Sequence, residues 1–364
     1  MKKGTNTLFT LGEFGFIGRI SASVKPAFGV ITGIGDDCAV TSVTPGMQLL
    51  TSTDMLLEDV HFRRSWHDPY RIGRKSLAVN ISDIAAMGGI PRWATLSLAI
   101  PPDMPLDFLD EFTRGFLAMA AEHNVTLIGG DTCSSRAGLV ISVTIMGEQE
   151  PAKIVRRSGA RPGDEIWVTG TLGDAAMGLK LVEEKNIPSR STGESQGGGE
   201  ADANENALPP APSHQGRSYS LISRLLDPVP RVAAGLALAE SGLVTSMIDI
   251  SDGLMADFGH IAEQSGVGGN IGIESLPLSA GLRAAAAERS IEPCEPALTG
   301  GEDYELCFTT PPGCREKIIA IMKKCGVGAT PVGIVTSSPG VTAVSVSGAG
   351  SYSAHQTGFN HFIP

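Results

Sequence analysis

Apolar positions along the chain alternate between helical and strand spacing. Ile72, Leu77, Ile81, Ile84 and Ala85 make a helical stripe, opened by Asp68-Pro69 as N-cap and first-turn proline and closed by Gly88-Gly89. A shorter helix over Gly12 to Ile20 places Phe14, Ile17 and Ile20 on one face. Met47 to Thr53, Trp93 to Ile100, Val125 to Ile128 and Leu139 to Met146 read as strands, the last with its turn at Gly147. A helix from about Leu106 to His123 sits between the second and third. This order predicts an α/β or α+β domain over residues 1–150.

A second α/β domain, 151–364, begins near Ile154. It opens with a loop at Arg156-Arg157-Ser158-Gly159, a strand over Asp164 to Thr169 and a helix from Gly173. The stretch from about Glu184 to Ser218 differs in kind, with Gly197-Gly198-Gly199 and Pro209-Pro210-Ala211-Pro212. It cannot bury enough apolar surface to offset its ordering entropy, so it reads as a disordered surface insertion. Element signals resume with a helix over Pro228 to Glu240 and a strand over Leu243 to Ile250 running into Ser251-Asp252-Gly253. A helix over Cys314 to Cys325 and a strand near Val332 follow.

Composition narrows the function. The chain has 364 residues, 42% apolar, with net charge −11. A nucleic-acid binder needs a basic stripe, so that class is disfavoured, and no apolar run is long enough to span a bilayer. Six cysteines lack zinc-like spacing, which suits reduced thiols in the cytoplasm. Met1-Lys2-Lys3 is not followed by the apolar run of a signal peptide.

Acids stand beside glycine or hydroxyl residues at five element ends: Asp36-Asp37, Thr53-Asp54, Gly130-Asp131, Asp249 with Ser251-Asp252, and Gly301-Glu302. Asp83 adds another from a helix. Each alone is equally a cap or a turn. Together they would repel, by roughly 4 kcal/mol for a pair about 4 Å apart at an effective dielectric near 20, unless a cation intervened. Hard oxygen donors suit Mg²⁺, and Mg²⁺ suits nucleotide phosphates. No Gly-Lys dipeptide occurs, which excludes a Walker A loop.

Gly35-Asp36-Asp37-Cys38-Ala39, Ser52-Thr53-Asp54 with His61-Phe62, Ala78-Val79-Asn80-Ile81-Ser82-Asp83, Gly129-Gly130-Asp131-Thr132, Arg157-Ser158-Gly159, Asp249-Ile250-Ser251-Asp252-Gly253 and Gly300-Gly301-Glu302-Asp303-Tyr304-Glu305 together resemble the thiamine-monophosphate kinase family, in order and approximate spacing. The resemblance implies the two-domain fold of aminoimidazole-ribonucleotide-synthetase-like ATPases, whose N-terminal sheet-and-helix domain pairs with its copy in a homodimer. It implies direct in-line transfer of the ATP γ-phosphate to thiamine monophosphate, giving thiamine diphosphate, with several Mg²⁺ ions per site; because a phosphate acceptor is already anionic, no side chain is expected to act as general base. Carried over, Asp37, Ser52, Thr53, Asp54, Asp83, Asp131, Asp249 and Asp252 are the expected metal ligands. Gly130, Asp131, Arg157 and Ser251 are the expected ATP contacts, and His61, Glu302 and Phe359 the expected substrate contacts. Asp36 either binds metal or caps its turn. A selenophosphate synthetase-like enzyme and a non-catalytic Mg²⁺-nucleotide sensor are the competing readings. The first needs a reactive Cys near its start, and nothing before Cys38 fits. The second would have no reason to keep the full acid set.

Overall fold

The structure is a computed structural model describing residues 11–25, 27–186, 221–345, 351–352 and 358. The first half runs α1 (Glu13–Ser23), β1 (Val30–Thr32), β2 (Val40–Thr41), β3 (Gln48–Leu57), α2 (Pro69–Ala86), β4 (Ile90–Ile100), α3 (Leu106–Glu122), β5 (Thr126–Ser134) and β6 (Val140–Gln149). Strands β3-β6-β4-β5 form a four-stranded sheet, antiparallel except for β4 and β5. Helices α2 and α3 cover one of its faces.

The second half contains β7 (Glu165–Thr169), α4 (Asp174–Asn186), α5 (Leu221–Leu226), α6 (Val232–Ser241), β8 (Ser246–Asp249), α7 (Leu254–Ser265) and β9 (Gly268–Gly272). It continues through α8 (Ala280–Arg289), α9 (Cys294–Thr299), β10 (Leu306–Thr310), α10 (Arg315–Lys324), β11 (Ala329–Thr336), β12 (Gly340–Val344) and β13 (Ser351–Tyr352). Its seven strands lie in the order β13-β12-β9-β11-β7-β10-β8. Only β12 and β9 are parallel, so this half is α+β rather than a wound parallel sheet. The expected insertion lies outside the described residues, apart from Glu184 to Asn186, which end α4.

Several elements extend past their expected ends. β3 pairs with β6 from Gln48↔Gln149 to Leu57↔Val140, so Asp54 lies within a strand and not after it. β5 runs through Gly129-Gly130-Asp131-Thr132. Gly147 is inside β6; a Cβ there would stand 2.7 Å from Ile84 Cγ2, so close packing and not a turn explains the glycine. In α1 the buried pair is Phe16 and Ile20, while Phe14 is exposed. The spacing of four puts Phe16, not Phe14, over Ile20.

The helix α2 organises the whole. Asp68 caps it by accepting from the Arg71 N–H at 3.0 Å, and Gly88 in left-handed conformation ends it. It is buried on nearly every side, polar positions Lys75, Ser76, Asn80 and Ser82 included. One side meets α3 at two glycines: a Cβ on Gly73 would lie 2.0 Å from Phe112 O, and one on Gly115 1.9 Å from Tyr70 O. The other side meets α6, where a Cβ on Gly235 would lie 2.1 Å from Ala85 O. We expect Gly115→Ala to force α2 and α3 apart and destabilise the protein by about 1–3 kcal/mol. Urea unfolding checks this, and wild-type stability would mean that the helices part without cost.

Candidate active site

Strand alternation and one helix turn bring the first carboxylates together. Ser52 and Asp54 point from β3 to the helix-covered face, where α2 presents Asn80 and Asp83. Ser52 Oγ donates to Asp83 Oδ2 at 2.5 Å, and the Asp54 backbone N–H donates to Asn80 Oδ1 at 3.1 Å. Across the cleft between the halves, Ser82 Oγ donates to Asp249 Oδ2 at 2.6 Å. Asp249 is the last residue of β8 and is buried.

The three carboxylates oppose one another's ionisation. Burial, and then the Asp83 charge, push Asp54 up to about 6. Burial, with Asp83 and Asp54 adding to it, pushes Asp249 up to about 7. Burial also raises Asp83, against the pull of the Ser52 hydroxyl and the Arg157 guanidinium. Asp83 moreover sits in the last turn of α2, where the helix dipole disfavours a negative charge. Convergent carboxylates held at this cost, with serine hydroxyls and no thiol or imidazole among them, are a donor set of the kind Mg²⁺ takes. Among the described residues no three acidic, histidine or cysteine side chains already close into a metal cage.

The loop after β8 carries Ser251 and Asp252. Asp257, in the first turn of α7, accepts from the backbone N–H groups of Ser251, Asp252 and Gly253, each at 3.0 Å, and so fixes that loop. Burial and the nearby Asp249 and Asp252 charges nevertheless push Asp257 up to about 8. The segment Gly300 to Glu305 lies against the same loop. Glu302 N–H donates to Ser251 O at 2.8 Å and Tyr304 N–H to Ile250 O at 2.9 Å, with Glu302 and Tyr304 both at positive φ. Beneath it, Glu305 accepts from Arg224 and Thr169 at 2.7 Å each and from Arg231 on both of its oxygens. Burial alone would raise Glu305, but the two guanidinium groups outweigh it and hold the carboxyl below its ordinary range.

The substrate-side candidates also meet here. His61 Nδ1 accepts from Leu57 N–H at 3.0 Å. Glu302 accepts from Lys75 Nζ at 2.5 Å, and the same ammonium lies 3.4 Å from His61 O. Phe359 lies outside the described residues. Its neighbour Gly358 is packed on the site loop, since a Cβ there would stand 3.0 Å from Asp252 O.

Not every expected ligand joins this group. Thr53 points to the open face of the sheet, donating to Val143 O at 3.0 Å and accepting from Thr144 at 3.1 Å. Asp131 is on that open face too, because Ile128 forms a bulge in β5 that shifts the alternation by one residue. In the register Asp54↔Val143↔Leu96↔Gly130, Asp131 falls one residue on and at the opposite edge of the sheet, about 14 Å from β3 at ordinary strand spacing. There it lines a cleft of 590 Å³ with Asp36, Asp37, Gly130, Phe14 and Ile17. Asp36 Oδ1 accepts from the Asp37 N–H at 2.8 Å. A Cβ on Gly130 would lie 1.8 Å from Leu96 O, which explains that glycine. A larger cavity, 1160 Å³, opens between the end of α3 and the start of α6 and holds none of the candidate residues.

Lys75, Asn80 and Asp257 belong to the site and carry no signal in the acid-and-glycine pattern. The one hint is position: Lys75 and Asn80 lie on a helix that is buried along nearly its whole length.

Comparison with known proteins places the chain. Residues 35–149 match the AIR synthase related protein N-terminal domain and residues 161–345 its C-terminal domain. A thiamine-monophosphate kinase of Salmonella typhimurium is 37% identical over 88% of this chain and 90% of its own. The crystal structure of thiamine-monophosphate kinase from Stenotrophomonas maltophilia superposes with a TM-score of 0.76 at 37% identity, covering 92% of this chain and 96% of that one. A structure described as AaThiL complexed with AMPPCP and TMP has a TM-score of 0.68 at 32% identity, over 99% and 100% of the two chains. With the site acids in place and the likeness running through both halves, the chain belongs to the thiamine-monophosphate kinase family.

Proposed function

We infer that the protein transfers the γ-phosphate of ATP to the phosphate of thiamine monophosphate, giving thiamine diphosphate and ADP. Full-length likeness to kinases of this name, joined to the Asp54–Asp83–Asp249 cluster, carries the reading. The AaThiL complex holds an ATP analogue and TMP on the same fold. An acceptor phosphate is already anionic, so the reaction needs alignment and charge neutralisation and no strong base.

In this reading Asp54, Asp83 and Asp249 hold Mg²⁺, with Asp37, Asp131 and Asp252 as further ligands. Bound there, Mg²⁺ would neutralise the phosphate oxygens as charge moves between them. Ser52 and Ser82 hold two of the three cleft carboxylates in place, and Arg157, exposed but within electrostatic reach of Asp83, offers a guanidinium fork to a phosphate. Ser251 lies in the loop that would face ATP. Thr53 can serve through its backbone but not through its side chain as oriented here. His61, Glu302 and Phe359 take the thiamine side.

A homodimer through residues 1–150 accounts for the two acid groups at opposite sheet edges. A second copy would bring its Gly130-Asp131 edge to the cleft carboxylates of the first, completing a site that one chain leaves divided. No helix among the described residues is long and apolar enough to cross a membrane, and all six cysteines are free thiols, in keeping with a cytoplasmic enzyme.

Phosphorus NMR of the protein with ATP, Mg²⁺ and thiamine monophosphate is expected to show a new diphosphate appearing with ADP. ATP hydrolysis without that diphosphate overturns the reading. Asp54→Asn is expected to abolish turnover yet stabilise the metal-free protein at pH 8. The Asp54 carboxyl is raised on folding, so its ionisation costs stability as pH rises through about 6, and that cost is absent below its unfolded value. The gain should be about 1–2 kcal/mol at pH 8, allowing for partial solvent screening, and vanish near pH 4 in thermal melts. Mixing Asp54→Asn with Asp131→Asn protein, each inactive alone, should restore about a quarter of wild-type activity, because half the random dimers carry one intact composite site. No recovery after verified subunit exchange would place both acids of a site on one chain.

A further inference from the structure

We propose that Lys75 is a positioning residue for the phosphate acceptor, tying the Glu302 carboxylate and the His61 loop to the helix that carries Asp83. The proposal rests on the kinase reading above and extends it to a residue outside the expected ligand set.

Lys75 is 1% exposed, in the second turn of α2. An ammonium is buried at a cost of several kcal/mol unless a well-placed anion compensates it. Here the anion is Glu302, from the other half of the chain, at 2.5 Å, with His61 O at 3.4 Å as the second acceptor. The basic neighbours of Lys75 on α2 serve different ends. Arg71 pairs with the cap Asp68, and Arg74 braces Glu122 of α3 and Asp227 after α5. Lys75 alone of the three reaches the acceptor side. Burial, and then the Lys75 charge, push the nearby His67 well below its ordinary range.

Glu302 is held at both its backbone and its side chain. Its backbone is left-handed, at φ 69, a conformation that costs a non-glycine residue roughly 1 kcal/mol or more and persists only when its surroundings impose it. The Ser251 carbonyl fixes the backbone and Lys75 fixes the side chain. The side chain still keeps 26% of its surface, so the carboxylate is oriented without being sealed off. The acceptor has a cationic thiazolium, an aminopyrimidine with N–H donors, and a phosphate at the far end. A carboxylate aimed at the first two and half-neutralised by Lys75 orients the molecule without drawing metal away from the phosphates. Because α2 also bears Ser82 and Asp83, the same rigid helix sets the spacing between the thiamine anchor and the transferring phosphate.

The test is steady-state kinetics of wild type, Lys75→Met, Glu302→Gln and the double variant, varying thiamine monophosphate and ATP separately. Each single substitution should raise KM for thiamine monophosphate about tenfold or more while KM for ATP stays within about twofold, as expected on losing one charged hydrogen bond on one substrate. The double variant should be no worse than the worse single, because the pair acts as one unit. Losses that multiply in the double variant, or a parallel rise in KM for ATP, overturn the assignment. If Lys75→Met alone does not fold, with Glu302 left unpaired, the double variant carries neither charge and must show the same acceptor-only defect; a wild-type acceptor KM in it overturns the assignment. A wild-type protein that makes no thiamine diphosphate overturns the kinase reading itself, a result separate from any behaviour of the variants.

Discussion

Asp54, Asp83 and Asp249 are held together although each resists the ionisation of the others, and much of the architecture serves that one unfavourable arrangement. Any two charged carboxylates brought to about 4 Å would repel by roughly 4 kcal/mol at an effective dielectric near 20. No stability argument would gather them. They come from three elements, β3 and α2 in the first half of the chain and β8 in the second. What holds them is a rigid helix buried on both sides, with one serine bonded to each of two carboxylates. Carboxyls raised to about 6 and 7 by burial and by one another are groups that a cation would relieve, which is the role proposed for them.

The same helix explains why the site is a cleft and not a surface. Ridges of α2 meet α3 and α6 where glycines let backbones approach within side-chain distance. The first half is thereby locked to the second along one line, and Ser82–Asp249 and Lys75–Glu302 both cross it. In the proposed reading, substrate and phosphate chemistry would be separated along α2 by about two turns, with Lys75 toward the thiamine and Asp83 toward the metal, roughly 12 Å apart at the helical rise.

Much of this was legible before the structure, and what was hidden has physical causes. Motifs are strings of adjacent residues, so the acid-glycine segments could be read directly, and Asp68-Pro69 with Gly88-Gly89 bounded α2 because capping is local chemistry. The direction in which a side chain points is not local. Thr53 sits between two cleft residues in sequence and faces away from them in space, because strand alternation gives neighbours opposite faces. Asp131 was displaced to the open face by one bulged residue, Ile128, which no propensity marks. The ends of β3 and β6 were underestimated because their pairing with each other, not their own composition, carries them to Leu57 and Gln149. Lys75 was invisible for a related reason: its partner is 227 residues away, and an isolated lysine is by default a solvated one.

The displacement of Asp131 has a consequence for how the enzyme is assembled. A bulge shifts the alternation by one residue, so Thr132 packs inward beside Leu98 while Asp131 turns outward. Without it, Asp131 would pair with Leu98 and lie on the helix-covered face. With it, the acid stands on the open face, where Ser97, Ser142 and Thr144 present small polar groups. Such a face, which also exposes Leu49 and Met55 of β3, would suit a second sheet of the same composition laid against it. In the proposed homodimer, the position of one carboxylate and the need for a second chain would both follow from a single extra residue in β5.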